Sequence, residues 1–331
     1  MKEAPRLKLA HLPTPLQLLS SVSEQAGRNV WVKRDDLTGF SVSGNKIRKL
    51  EYSLAKARSE GADVIVTCGG IQSNHCRATA ILGAKLGFKV HLLLRGEEPE
   101  EIEGNLFLDQ LAGAEISYFA KRYYHAHLDF LAEETCEKHR QAGEKPFFIP
   151  TGASDAVGVW GYVNAAEELK ADFARLGIQP EHIISATGSG GTQAGLTVGT
   201  LLHDMPVLVT GYAVCDDEAW FVNKVDTDIR DWAEKYEIDV DLSRLKISVR
   251  DAYIGDGYAI AGKPIFETIT KVFRSESLLL DPVYSGKAFY GMLCDIESQE
   301  LHGSGDIVFV HTGGAFGLFA QRKEWLRHSI S

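Results

Sequence analysis

The chain has 331 residues, 44% hydrophobic and 24% charged, the balance of an ordinary globular protein and enough length for two domains. A formal net charge of −10 repels phosphate backbones and argues against nucleic acid as a partner. No apolar run approaches the ~20 residues needed to cross a bilayer, and the opening MKEAPRLKLAHLP has no secretory apolar core, so a cytoplasmic protein without a membrane partner is expected.

Taken in order, the first organising stretch is 29–52, NVWVKRDDLTGFSVSGNKIRKLEY. Val30, Trp31 and Val32 read as an apolar strand, a Gly-punctuated polar turn follows, and a helix opens near Asn45. Lys46 therefore falls at a helix start. The positive end of the helix disfavours an ammonium and favours anions, so Lys46 is a candidate for a lowered pKa and for attack on a carbonyl. Alone, such a lysine is most often a solvated surface residue.

Apolar, β-branched runs at 63–67, 90–94, 115–119 and 147–149 alternate with helical periods at 74–86 and 125–141. A second series has runs at 182–186, 207–214, 246–249 and 306–310, with helix-like segments at 192–203, 263–275 and 285–301. Strand and helix in alternation predict an α/β fold of parallel sheets with helices on both faces. The polar link TGASDAVG, from Thr151 to Gly158, separates the two series.

Two further motifs sit at strand-to-helix turns. In GGIQSNHCR (69–77), Ser73 is either a plain helix cap or a hydroxyl for a substrate carboxylate, and the two roles are compatible. In TGSGGTQAG (187–195), bare backbone N–H groups at a helix start suit a phosphate monoester, although an unliganded Gly-rich connection has the same look. No GKS or GKT follows, and the loop is not GxGxxG, so it is neither a Walker A loop nor a dinucleotide fingerprint. Two late tyrosines, Tyr258 in GDGYAI and Tyr284 in DPVYSGK, are core aromatics or proton-transfer phenols. Cys68, Cys76, Cys136, Cys215 and Cys294 form no CxxC pair and have no histidine at zinc-finger spacing, so reduced thiols and no metal site are expected.

Together GNKIRKLEY, GGIQSNHCR and TGSGGTQAG resemble the pyridoxal-phosphate enzymes of fold type II, in the branch of D-cysteine desulfhydrase and 1-aminocyclopropane-1-carboxylate (ACC) deaminase. The resemblance runs from Thr14 to Phe319. It implies two open twisted parallel-sheet domains of the tryptophan synthase β-like kind: a large domain of 1–50 and 158–331, a small one of 51–157, and pyridoxal 5'-phosphate in the cleft between them. It implies that Lys46 carries the cofactor and moves a proton, with Lys49, Asn74, Thr312 and the cup Gly188, Ser189, Gly190, Gly191 and Thr192 around it. Asn74 matches the residue that bonds the pyridine 3-hydroxyl, while Ser73, Asn74, His75, Tyr258 and Tyr284 match the substrate side. A homodimer is implied as well.

Two departures point within the branch. ACC deaminases carry a glutamate after the tyrosine of DPVY and a leucine within the late H-x-G-G segment, where this chain has Ser285 and Thr312. A carboxylate near the pyridine nitrogen would strengthen the electron sink that ring opening requires, and a hydroxyl does less. The expected activity is thus α,β-elimination on a small β-substituted amino acid, D-cysteine first, to pyruvate, hydrogen sulfide and ammonia. Cysteate or β-chloroalanine elimination, ACC deamination and non-catalytic cofactor binding are the alternatives. Ser43 stands where glycine is more usual in that family.

Overall fold

The structure, a computed structural model, describes residues 4–329. Its strands are β1 (Leu16–Leu18), β2 (Val30–Lys33), β3 (Val64–Gly70), β4 (Lys89–Arg95), β5 (Glu115–Phe119), β6 (Pro146–Ile149), β7 (His182–Thr187), β8 (Leu208–Ala213), β9 (Ser248–Arg250) and β10 (Ile307–Val310). The helices are α1 (Ser20–Ala26), α2 (Asn45–Ser59), α3 (Asn74–Leu86), α4 (Gly104–Leu111), α5 (Lys121–Gln141), α6 (Trp160–Leu176), α7 (Gly191–Leu202), α8 (Glu218–Lys235), α9 (Lys263–Glu276), α10 (Ser285–Glu297), α11 (Ala315–Ala320) and α12 (Arg322–Ser329).

Two sheets result, a six-stranded one in the order β1-β2-β10-β7-β8-β9 and a four-stranded one in the order β5-β4-β3-β6. Every pairing is parallel except β1 with β2, which is antiparallel. The expectation of wholly parallel sheets fails at that edge because β1 and β2 are joined through the short α1, too little chain to carry a strand back to a parallel start. Central strands are buried along their whole length because helices cover both faces: every residue of β7 and β10 is buried, and β10 is wholly apolar.

Helix α2 ties the two sheets together. Ile47, Leu50, Leu54 and Ala57 recur at helical spacing and pack with Ile65 and Leu92 of the small sheet; full burial of a side chain the size of Leu50 contributes ~2 kcal/mol. Its other side carries Arg48, whose guanidinium meets Asp35 Oδ1 at 2.7 Å and Glu168 Oε2 at 2.9 Å, joining the turn after β2 to α6. Burial alone would raise the Asp35 pKa, but Arg48, Tyr162 and Thr14 hold it below its ordinary value. The domain line drawn after residue 50 falls inside this continuous helix.

Candidate active site

A cavity of about 720 Å³ opens at the carboxyl ends of β3 and β7, where the two sheets face each other. It gathers Lys46, Ser73, Asn74, His75, Gly188, Ser189, Gly190, Thr192, Tyr258, Tyr284 and Thr312 from stretches far apart in the chain. Lys49 and Gly191 stand behind its wall.

Lys46 is the second residue of α2. The turn before it needs Gly44, at φ 110°, because a Cβ there would sit 2.6 Å from the carbonyl oxygen of Thr312. That oxygen accepts the Asn45 N–H at 3.1 Å and so satisfies a donor of the first turn. Ser43 keeps an ordinary negative φ, and its carbonyl accepts from Arg77 at 2.7 Å, so serine fits where glycine is usual. Among the described residues the Lys46 amine has no hydrogen-bond partner, and desolvation lowers its pKa to about 8. Burial rather than the helix end produces that shift.

The TGSGG loop forms a cup at the start of α7. Gly190 takes φ 84°, which a side chain would strain, and lets the backbone turn back on itself. Ser189 Oγ lies 2.8 Å from Ser154 Oγ, and Thr192 Oγ1 accepts from Asn45 Nδ2 at 2.9 Å. The Gly191 N–H is turned away and donates to Ser154 Oγ at 3.2 Å. Lys49 Nζ meets the same hydroxyl at 3.0 Å, so it reaches the cup only through Ser154, having been drawn into the wall of α2 with its whole side chain buried. Burial, then the neighbouring charge of Lys46, drives the Lys49 pKa well below its usual value, while Asp228 opposes this. Asp228, itself raised to about 6 mainly by burial, pairs with Lys224 beside Gly190.

On the opposite wall, Ser73 caps α3, its Oγ accepting the Cys76 N–H at 3.2 Å. The Asn74 carboxamide oxygen accepts from Asn105 at 3.0 Å and Arg77 at 3.3 Å, leaving its NH2 as a free donor on the cavity wall. Thr67 Oγ1 donates to Ile149 O at 2.7 Å, so at 2.8 Å it must accept from His75 Nε2–H. His75 Nδ1 is then a bare acceptor, and burial together with the charges of Lys46 and Lys49 keeps the ring neutral.

Tyr258 and Tyr284 hydrogen-bond through their hydroxyls, with ring centroids 5.9 Å apart. Burial raises both phenols, but the shared bond eases the rise at Tyr258 and adds to it at Tyr284. Either hydroxyl can donate within the pair, and the lesser rise at Tyr258 makes its proton the easier of the two to release. The Arg95 guanidinium sits 5.0 Å from the centre of the Tyr258 ring and forms no ion pair with a carboxylate among the described residues.

Ser285, by contrast, does not reach the cavity. It is wholly buried, and its hydroxyl bonds Asp281. Sequence reasoning also passed over Asn45, Ser154, Arg95 and Lys224. Arg95 carried a usable signal, since it directly follows the strand expected at 90–94, on the ligand side of a parallel sheet; Ser154 carried none, because its partners lie 35 and 105 residues away.

The residues suit pyridoxal 5'-phosphate on grounds internal to the chain. A half-buried, desolvated amine with no hydrogen bond among the described residues lines the same cavity as a cup of backbone N–H groups backed by Lys49 and Lys224, and Thr187 Oγ1 and His75 Nδ1, without partners among the described residues, border the same space. Comparison with known proteins agrees. Residues 7–313 match the family described as pyridoxal-phosphate dependent enzyme. A Pyrococcus furiosus protein named "Putative 1-aminocyclopropane-1-carboxylate deaminase" is 41% identical over 96% of this chain and 94% of its own. The "Bifunctional D-cysteine desulfhydrase/1-aminocyclopropane-1-carboxylate deaminase, mitochondrial" of Arabidopsis thaliana is 38% identical over 94% of this chain and 78% of its own. A crystal structure of an ACC deaminase homologue superposes with a TM-score of 0.90 at 38% identity, covering 98% of this chain and 97% of that one.

Proposed function

Because the chain belongs to the family of pyridoxal-phosphate dependent enzymes, and within it to the ACC deaminase and D-cysteine desulfhydrase lyases, we propose that it eliminates the β-substituent of a small amino acid, D-cysteine first. The observation that carries this is Thr312, a hydroxyl residue on the cavity wall where the deaminase pattern has leucine, while Ser285, buried behind the wall, leaves that position without the pattern's glutamate. D-cysteine and water become pyruvate, hydrogen sulfide and ammonia.

The bound cofactor supplies the electron sink for the carbanion at Cα. Lys46 holds the cofactor, and its amine, freed when substrate enters, takes the α-proton. Ser73 and the Asn74 N–H groups orient the substrate, while the Ser189 hydroxyl and the N–H groups of Gly188, Ser189, Gly190 and Thr192 hold the phosphate. As the C–S bond breaks, its electron pair leaves with sulfur, and Tyr258 gives its proton to that sulfur while Tyr284 donates to the phenolate left behind. His75, neutral and fixed by Thr67, accepts but does not donate.

Arg95 favours a second substrate, cysteate. Its guanidinium, 3.0 Å from His125 Nε2 but paired with no carboxylate among the described residues, stands beside Tyr258 with Lys121 on the same wall, and suits a sulfonate. Incubation with D- and L-cysteine, D- and L-cysteate, D-serine, β-chloroalanine and ACC, scored for keto acid and ammonia, tests both readings. Keto acid from none of them would refute the assignment as a β-eliminating lyase. We also place the enzyme in the cytoplasm as a homodimer. Five free thiols fit a reducing compartment, and the exposed Phe40, Leu111 and Phe319 offer apolar surface for a second copy.

A further inference from the structure

We propose a divalent transition-metal site on the small sheet, formed by His91, His139 and Glu115. His91 on β4 faces Glu115 on β5 across the strand register, and His139 comes from the last turn of α5. His91 Nδ1 lies 3.0 Å from His139 Nε2 and 3.6 Å from Glu115 Oε1, and the three candidate ligand atoms all fall within 4.8 Å of one another. A tetrahedral ion with bonds of ~2.05 Å holds its ligands about 3.4 Å apart, so these atoms already stand near ligand spacing. The two imidazoles are nearly perpendicular, 88° between planes, so the rings meet edge to face and do not stack.

Each ring is held from behind. His139 Nδ1 is 2.7 Å from Glu144 Oε2, a carboxylate that can only accept, so Nδ1 carries a proton and the neutral ring presents Nε2 as the ligand atom. Glu144 is itself fixed by the Lys89 ammonium. His91 Nε2 is 2.9 Å from Ser117 Oγ. A carboxylate or hydroxyl behind each ligating histidine is what orients imidazoles toward a metal. A cavity of about 270 Å³ beside Glu115 and His139 leaves room for water as a further ligand.

Proton balance closes without an outside acid or base. Without metal, His91 carries its proton on Nδ1 and donates to His139 Nε2, while Ser117 donates to His91 Nε2. When the ion binds, the His91 proton moves to Nε2, the Ser117 hydroxyl turns to accept it, and both bare nitrogens face the cation. Two imidazoles and one carboxylate select zinc, cobalt or nickel over magnesium or calcium. Because His91 and Arg95 lie on one strand, about 13 Å apart at ~3.3 Å per residue, the ion would brace the far end of an element whose near end walls the active cavity. The three ligands span 48 residues and obey no short motif, which is why the sequence alone predicted no metal.

The test uses holoenzyme stripped with a chelator, then titrated with Zn2+ by calorimetry and with Co2+ by visible absorption. One Zn2+ per chain is expected. Glu115→Gln should weaken binding at least tenfold, Glu144→Gln by ~10–100-fold, and His139→Gln should abolish the Co2+ spectrum. The Glu115 side chain is 66% exposed, so its amide variant keeps the fold, and its turnover should equal wild type. No uptake by wild type would overturn the site. So would uptake with the same stoichiometry and affinity in Glu115→Gln and His139→Gln, which is the signature of adventitious binding to thiols.

Discussion

Asp281 and Ser285 hold each other twice: Ser285 Oγ accepts the Asp281 N–H at 2.8 Å and donates to Asp281 Oδ1 at 2.7 Å. The same carboxylate accepts the N–H groups of Val283, Tyr284 and Ser285 at 2.9, 3.0 and 2.8 Å, satisfying the donors at the start of α10 and fixing the backbone of Tyr284. Asp281→Ala would leave those buried donors unpaired. A loss of about 3 kcal/mol is expected in urea unfolding, with Tyr284 misplaced. A loss below about 1 kcal/mol would mean that α10 starts without this cap.

For Lys46 the testable quantity is a pH. Its amine captures the cofactor aldehyde only when neutral, and desolvation lowers its pKa from 10.5 to about 8. Capture by cofactor-free protein should therefore fall tenfold for each pH unit below 8 and level off above it. Reconstitution followed by absorbance checks this; a rate still climbing steeply at pH 10 would indicate an ordinary, solvated lysine. Lys46→Ala should capture nothing covalently and lose nearly all turnover.

Gly190→Asp addresses the cup. The new Cβ would lie 3.2 Å from Lys224 Cγ on a backbone at φ 84°, and the carboxylate would compete with phosphate for the same N–H groups. Cofactor should dialyse from the variant at least tenfold faster than from wild type, with the melting temperature of the cofactor-free protein lowered by only a few degrees. Equal retention would assign the loop another task.

Much of this site could be read from sequence because its chemistry sits at strand-to-helix turns that Gly and Ser announce. The helix start at Asn45 and helix α3 at 74–86 appear where the period placed them, and Lys46 lines one cavity with the TGSGG loop. Sequence failed where a partner comes from another element. Ser154 joins Lys49, Ser189 and Gly191 only because the polar link folds under α7. Arg95 meets Tyr258 across the two sheets, and Ser285 turns inward to Asp281 instead of outward to the cleft. Helix α5 begins at Lys121, four residues before the predicted start, because polar residues there line the cavity rather than repeat at the core period.

Asp109 makes a stability prediction with a definite sign. It is fully buried, neither carboxylate oxygen has a hydrogen-bond partner among the described residues, and desolvation drives its pKa well above the usual value against the pull of Arg77. A carboxyl whose folded pKa is raised costs nothing below the unfolded value of ~3.9 and destabilises progressively as pH rises above it. Asp109→Asn should thus melt higher than wild type at pH 8, with the gap closing toward pH 4. A variant less stable at pH 8 would show that the carboxylate is ionised and paired.

The last prediction concerns the two positions that separate the branches. Thr312 lies on the cavity wall, but Ser285 is buried behind it with its one proton committed to Asp281. Wild type should release pyruvate and sulfide from D-cysteine and give little or no 2-oxobutyrate from ACC. Converting the pair by Ser285→Glu with Thr312→Leu should lower the desulfhydrase rate. It should not create ring opening, because the glutamate would enter a wholly buried position already occupied by the Asp281 carboxylate, where like charges and lost helix-capping bonds oppose it. The double variant should also unfold at lower urea than wild type, and Asp281→Asn added to it should recover part of that loss by removing the repulsion. Wild-type turnover of ACC at or above the D-cysteine rate would refute the assignment from these two residues. Gain of deaminase activity in the double variant without loss of stability would show that Ser285 faces the cofactor after all.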